Sequence, residues 1–329
     1  MKLDVLDKKI LYYLEINSRV PISKLSKLVK ASREVVNYRL KKLEENKIIK
    51  SYIANVNQSI FCSGIVNMCL KVLYKDDKRY KQIIEFFKNH SKINWFGELC
   101  GNYDFTLTIL YKNMQDISKS LDDIFEFLGS ELQEHNLSFY INEYFFRRKN
   151  IFEMNFKEEK LEKEIVFNKV ESQNLNLDEK DLIIIKELAN NSKIKNIELA
   201  KKIKLGEDIV RIRIKNLEKK GIILGYTIVI NAYKCGFEGY HLNMFIENFS
   251  KINENNIKAF CISNPFIYFA SRLSGKFNLD LGIYAKNREH FKKILFEIRE
   301  FFKDDLKNYE FQLLLDEHKE VFITDEVIC

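Results

Sequence analysis

Within one ten-residue stretch, Arg33, Asn37, Tyr38, Arg39, Lys41 and Lys42 carry side chains suited to recognising duplex DNA. Arginine and lysine bond phosphates or guanine, asparagine can read adenine, and tyrosine meets a phosphate or a thymine methyl. If the stretch is helical, Val36, Leu40 and Leu43 fall at i, i+4 and i+7 and form a buried stripe. The polar residues then occupy the remaining face, with Arg39 beside the stripe and Ser32 in place to cap the helix. A solvated helix face can carry the same charges. The reading therefore depends on the elements that would hold this helix.

The chain repeats itself. Gly101-Asn102-Tyr103 and Gly275-Lys276-Phe277 are 174 residues apart, the same separation as Leu43-Glu44 from Leu217-Glu218. Leu3-Asp4, Asp7, Asn17-Ser18, Arg39, Ile48-Ile49 and Tyr52 recur as Leu177-Asp178, Asp181, Asn191-Ser192, Arg213, Ile222-Ile223 and Tyr226. A period this long indicates a duplicated domain pair and not a solenoid, whose units span about 20 to 50 residues. The second copy offers Arg211, Arg213 and Lys215 as its DNA-binding candidates, but Gly206 replaces the Ser32 cap and Glu207-Asp208 replaces Arg33-Glu34. Four cationic residues face one acid in 33–42, whereas three face two in 207–216, so the second reader should bind DNA more weakly.

Composition sets wide bounds. Among 329 residues, 46% are hydrophobic and 31% charged, which excludes a disordered chain, and 2 prolines leave room for long elements. A net charge of +7 suits a polyanionic partner without requiring one. The six cysteines form no C-x-x-C pair and no stretch reads as a signal peptide, so reduced thiols in the cytoplasm are expected. No apolar run approaches the roughly 18 residues of a membrane span. His90, His135, His241, His290 and His318 are scattered and read as structural, with no metal-binding spacing, and no phosphate-binding loop or nucleophile elbow is found. No metal, cofactor or catalytic residue is expected.

The positioning elements follow from periodicity. Leu6, Ile10 and Leu14 mark a first helix from about Asp4, Leu25, Leu28 and Val29 a short second one, and the recognition stretch a third. Residues 48–53 then turn to β-branched alternation, as in a wing. Alternation over 65–74, helical spacing at Tyr80, Ile83, Ile84 and Phe87, strands over 93–100 and 103–110, a helix marked by Ile117, Leu121 and Leu128, and a strand over 137–145 give the order βαββαβ. That is the split βαβ, ferredoxin-like arrangement, a four-stranded sheet with helices on one face. Its uncovered face is expected to be apolar and to pack against the matching sheet.

The order of a winged helix-turn-helix and a βαββαβ domain resembles the Lrp/AsnC (feast/famine) family of transcription regulators. The matching stretches are Leu3-Asp4 with Asp7, Arg39-Leu40-Lys41-Lys42-Leu43-Glu44, Ile48-Ile49-Lys50-Ser51-Tyr52 and Gly101-Asn102-Tyr103-Asp104. The expected fold class is α+β, two tandem units, each a winged helix-turn-helix followed by a ferredoxin-like (RAM-type) domain. The expected boundaries are 1–60, 61–146, a charged linker at 147–175, 176–234 and 235–329, with the two units paired inside one chain. The resemblance implies binding to double-stranded DNA and an amino-acid or other small effector near the hairpin, bordered by Gly101, Asp104 and Gly275. A plain turn explains the same residues. Asn278 stands where copy one has Asp104, which removes a partner for an ammonium group. Fused units of this kind also occur in sirohaem decarboxylases, one alternative reading; the other is a ligand-sensing protein whose heads no longer read DNA. Those enzymes carry histidine and arginine before the hairpin, where this chain has Asn94-Trp95-Phe96-Gly97-Glu98.

Overall fold

A computed structural model describes residues 3–148, the backbone of 165–167, and residues 176–247, 249 and 254–328. Most of the charged linker, 149–164 and 168–175, lies outside the described residues. Copy one runs α1 (Val5–Ile16), α2 (Ile22–Val29), α3 (Arg33–Glu45), β1 (Ile49–Val56), β2 (Gly64–Val72), α4 (Asp77–Asn89), β3 (Ile93–Cys100), β4 (Phe105–Tyr111), α5 (Met114–Leu128) and β5 (Leu132–Phe145). After β6 (Ile165–Phe167), copy two runs α6 (Glu179–Asn190), α7 (Asn196–Ile203), α8 (Glu207–Lys219), β7 (Ile223–Ile230), β8 (Glu238–Ile246), α9 (Glu254–Ser263), β9 (Ile267–Ser274), β10 (Leu279–Ala285), α10 (Arg288–Phe302) and β11 (Leu306–Glu320), ending in α11 (Asp325–Ile328). No helix among the described residues is long and apolar enough to cross a membrane.

Local signals place the head helices. The Asp4 carboxylate accepts from the Asp7 amide at 2.8 Å while the Asp7 carboxylate accepts from the Asp4 amide at 3.1 Å, a reciprocal cap that starts α1. Ser32 Oγ accepts from the Val35 amide at 3.3 Å and starts α3, which buries Val36, Leu40 and Leu43 as their spacing predicts.

The wing does not close within its own copy. Instead β1 pairs antiparallel with β7, and Ile53 lies opposite Thr227, its own equivalent 174 residues on. A strand that meets its own repeat at equivalent positions lies on a two-fold axis. The Ser18 and Ser192 hydroxyls, also equivalent, meet at 2.7 Å. Each head is therefore completed by the other copy: Ile228 and Ile230 of β7 join Ile10, Leu14, Leu40 and Leu43, while Ala54 and Val56 of β1 join Ile184, Leu188, Val210 and Leu217.

The two sheets also interlock edge to edge, where a face-to-face sandwich was expected. In copy one the strand order is β5-β2-β4-β3, the split βαβ arrangement, but β5 is long enough to serve two partners. It pairs with β2 up to Phe139 and with β9 of copy two from Phe139 onward. In the same way β11 pairs with β8 and then with β3. Following these pairings returns to the first strand, so eight strands form a closed ring, with β6 added beside β5. A closed ring removes exposed strand edges. Strand β5 begins at Leu132, earlier than its apolar alternation indicates, because Gln133, Glu134 and His135 lack that alternation.

Helices cover one face of each half, packing Ile83, Phe87, Ile124 and Leu128 on β2–β4 and Ile257, Ile294 and Ile298 on β8–β10. The other face is mixed. Buried Thr106, Thr108, Ser138, Ser271, Asp280 and Gln312 lie on it beside Trp95, Tyr140 and Phe269, where an apolar face was expected. Residues alternate across a strand, so Met68 and Leu70 of β2 meet the helices while Asn67 and Cys69 take the opposite face.

Close approach between the copies fixes one glycine. A Cβ on Gly275 would lie 2.5 Å from Ser138 Oγ and 3.0 Å from the Leu137 carbonyl of β5, whereas one on Gly206 would meet nothing within 4 Å. Gly275→Ala is expected to cost about 1–3 kcal/mol in urea unfolding, and Gly206→Ala close to nothing. Equal stability of the two variants would refute the tight β5–β9 junction.

Candidate functional site

Helix α3 presents Arg33, Asn37, Tyr38 and Lys41 to solvent, with Lys42 half-buried. Tyr38 is 64% exposed, a large ring left on the surface of a helix otherwise well packed. The sixth candidate is placed differently. Arg39 Nη1 lies 2.7 Å from Asp4 Oδ2 and 3.3 Å from Asp7 Oδ1, so it locks α3 to the capped start of α1 and is not presented to an outside partner. Copy two repeats the lock, with Arg213 2.8 Å from Asp178 and 2.7 Å from Asp181. Sequence reasoning grouped Arg39 and Arg213 with the readers because the repeated Asp–Asp pair that holds them is distant in sequence. The Asp7 amide, and then the Arg39 guanidinium, hold the Asp4 carboxyl below its usual range.

In copy two, the reading face is altered by its own acids. Arg211 lies 3.0 Å from Asp208 and 3.8 Å from Glu207, which neutralise it along the helix, and only Lys215 of the three candidates is an exposed cation without such neighbours. Ile209 and Ile212, 46% and 59% exposed, stand where copy one has Val35 and Tyr38. An apolar and acidic helix surface is poorly matched to phosphate.

The hairpin residues serve the sheet. Asp104 Oδ2 accepts from the Val72 amide at 2.8 Å and Oδ1 lies 3.2 Å from Lys71 Nζ, so this carboxylate ties the turn to the end of β2. Asn278 does the same for copy two, accepting from the Ile246 amide at 2.8 Å and donating to the Ile246 carbonyl at 2.7 Å. Replacing the acid by an amide preserves that tie. Gly101, at φ 155°, and Gly275 let the hairpins approach Gln312 and Ser138 on the other copy's long strands. None of Gly101, Asp104 and Gly275 lines the large cavity of the molecule.

That cavity, about 640 Å³, lies between the heads and the ring. Its roof includes Glu15 from α1, Asn55 from β1 and residues of β7; its floor includes Trp95, Tyr140, Glu143 and His241 on the mixed strand face. The ionisable lining contains five glutamates, Glu15, Glu143, Glu218, Glu317 and Glu320, against Arg147, Arg148 and His241. Burial pushes the Glu143 carboxyl up to about 8, with the nearby Asp280 charge adding to the shift. Burial likewise raises Glu15, although Arg148 at 3.9 Å opposes it. For His241 burial favours the neutral ring, but the Asp280 carboxylate, 3.3 Å from Nδ1, outweighs it and raises the pKa. Glu15 Oε2, Asn55 Oδ1, Gln58 Oε1 and His241 Nε2 are buried with no hydrogen-bond partner among the described residues. Sequence reasoning missed this site. Its one signal there was polar residues at the strand positions facing away from the helices.

Comparison with known proteins agrees with the duplicated architecture. Residues 3–44 match the AsnC-type helix-turn-helix domain and residues 177–223 a winged helix-turn-helix DNA-binding domain. The transcriptional regulator AzlB of Bacillus subtilis is 32% identical over 124 residues, 37% of this chain and 78% of that protein. The HTH-type transcriptional regulator FL11 of Pyrococcus furiosus is 29% identical over 129 residues, 39% of this chain and 84% of that protein. The crystal structure of the siroheme decarboxylase NirDL superposes with a TM-score of 0.62 at 12% identity, covering 99% of this chain and 96% of that one, which shows a shared fold with both units in one polypeptide. The chain belongs to the Lrp/AsnC family, as a fusion of two unequal family units.

Two outcomes follow from the geometry. Arg39→Ala should lower stability by about 1 kcal/mol near neutral pH, and urea titrations should show the difference from the parent vanishing as the pH falls below about 4, where Asp4 takes up its proton in the unfolded chain and then in the folded one. Glu143 has a raised pKa, so its stabilising protonated state is fully present below about pH 4 and is lost as pH rises through about 8. Glu143→Gln should therefore raise Tm by about 2 °C or more at pH 8.5 and leave it unchanged at pH 4.

Proposed function

We propose that this chain is a sequence-specific DNA-binding transcription regulator in which the first head reads the operator and the second contributes less. The observation carrying this reading is the outward face of α3, where Arg33, Asn37, Tyr38 and Lys41 are exposed together while the helix's opposite side and Arg39 are committed to the fold. Cations on that face would bond phosphates, and Asn37 and Tyr38 would meet base edges in the major groove. Unequal heads joined by one ribbon imply an asymmetric site, with half-sites a whole number of helical turns apart at roughly 34 Å per turn. An effector, whether an amino acid or another small molecule, at the hairpin bordered by Gly101, Asp104 and Gly275 would have to compete with Lys71 and the Val72 amide for the Asp104 carboxylate.

A tetrapyrrole enzyme built on the same fused fold is the competing reading, raised by the full-length likeness to NirDL, which has also been crystallised with an iron-uroporphyrin III analogue. Uroporphyrins are polycarboxylates and need cationic walls. Here the central cavity offers Arg147, Arg148 and His241 as its cationic groups, with Arg148 beside Glu15 and His241 beside Asp280, which leaves few positive charges for the guest's carboxylates.

Gel retardation on operator DNA selected from random sequence tests the regulator. Arg33→Ala with Lys41→Ala should lower affinity on all sequences and reduce the slope of log affinity against log salt by about 0.9 for each phosphate no longer neutralised. Asn37→Ala should relax preference at one base position, and Lys215→Ala should change affinity far less than Lys41→Ala. Undiminished binding by the α3 double variant would remove the proposed interface.

A further inference from the structure

We infer that the central cavity is a binding site for a small organic cation bearing N–H donors, such as an aliphatic diamine or a guanidinium-amine, held between the heads and the ring. The cavity is large enough for such a molecule, and several of its buried acceptors are without a donor among the described residues. Three of its unsatisfied buried atoms are oxygens: Asn55 Oδ1 and Gln58 Oε1 are amide acceptors, and Glu15 Oε2 is an acceptor when its carboxyl is ionised. Gln58 is fixed in that orientation because its amide nitrogen already donates to the Phe322 carbonyl. The fourth atom, His241 Nε2, accepts only in the neutral ring, and the Asp280 carboxylate favours the protonated one, which leaves the three oxygens as the acceptors in want of a donor. A buried acceptor left without a donor costs free energy, and a guest with several N–H groups removes that cost at several atoms together.

Charge points the same way. Arg148 lies beside Glu15, and Glu317 accepts from Trp95 Nε1 at 3.3 Å and lies 3.9 Å from Lys50 Nζ. Glu143 has no such cation among the described residues, and it sits on the floor between Tyr140 and the His241–Asp280 pair. A bound ammonium or guanidinium would be its counter-ion. Trp95 and Phe269 also line the cavity, and aromatic rings beside a cation add to its attraction. An anionic guest would meet the Glu15, Asn55 and Gln58 oxygens and the Glu143 carboxyl without donors to offer them.

The position of the cavity gives an occupant a consequence. A guest bridging Glu15 and Asn55 above with Glu143 and His241 below would tie the heads to the ring, and so bias how the recognition helices are held. That consequence rests on the regulator reading; occupancy itself does not.

Trp95 is the only tryptophan of the chain and lines the cavity, so its fluorescence reports occupancy without DNA. The full chain is titrated with putrescine and with agmatine, in parallel with L-glutamate and iron-uroporphyrin, following Trp95 emission and binding heat. The expected result is a saturable change with at least one of the two amines and none with the two anions. Glu143→Gln should raise the amine Kd by about tenfold or more, while Lys41→Ala on the outer face of α3 should leave it unchanged. Asn55→Ala, which should also weaken amine binding, serves if Glu143→Gln does not fold by circular dichroism. Absence of a saturable response to both amines, binding of either anion in their place, or full amine affinity in the cavity variants would overturn the site. Gel retardation with and without the amine then tests the consequence separately: a chain that binds amine but no DNA keeps the site and loses the regulator.

Discussion

The antiparallel pairing of each copy with the other is the constraint on which the remainder of the structure depends. At the ribbon, β1 and β7 meet with Ile53 opposite its own repeat Thr227, and each strand supplies side chains to the hydrophobic core of the opposite head. At the ring, β5 and β11 run through both sheets, pairing first at home and then across. Neither copy can bury its apolar surface alone. Duplication within one chain turns what would be an association between two molecules into an intramolecular step, with an effective concentration set by the linker.

That interlocking also separates the two jobs of the surface. Outward, the heads keep one face of their third helices clear of the core, and the arginine–aspartate locks tie α3 and α8 to the starts of α1 and α6. Inward, the ring turns a mixed strand face toward the ribbon and encloses a cavity with buried carboxylates. Burying Glu143 without a cation is costly. The fold tolerates that cost at a place where heads and ring meet, which is where a ligand could act on both.

Duplication has let the two copies diverge. The scaffold residues, including the Asp4 and Asp178 caps, the locks and Ser18 with Ser192, are kept, while the outward face of α8 exchanges Tyr38 for Ile212 and Arg33 for Glu207, a second acid beside Asp208. In a homodimer one sequence must serve both heads; here the ribbon holds them together whatever their faces carry. The asymmetry of charge was legible in the sequence, since it concerns residues adjacent on one helix.

What the chain's sequence by itself determined were the repeat, the head helices with their Asp4 and Ser32 caps, the buried stripe of α3 and the βαββαβ order, because caps and periodicities act within a few residues. The strand partners, the ring, the roles of Arg39 and Asp104, and the cavity were decided only by tertiary structure. Each joins residues far apart in the chain, as Arg39 joins Asp4 and Phe139 meets Ser274. Alternation says that a strand has two faces, but not which strand lies beside it or what those faces enclose, since backbone pairing is chemically the same for every partner and is chosen by the burial of the whole.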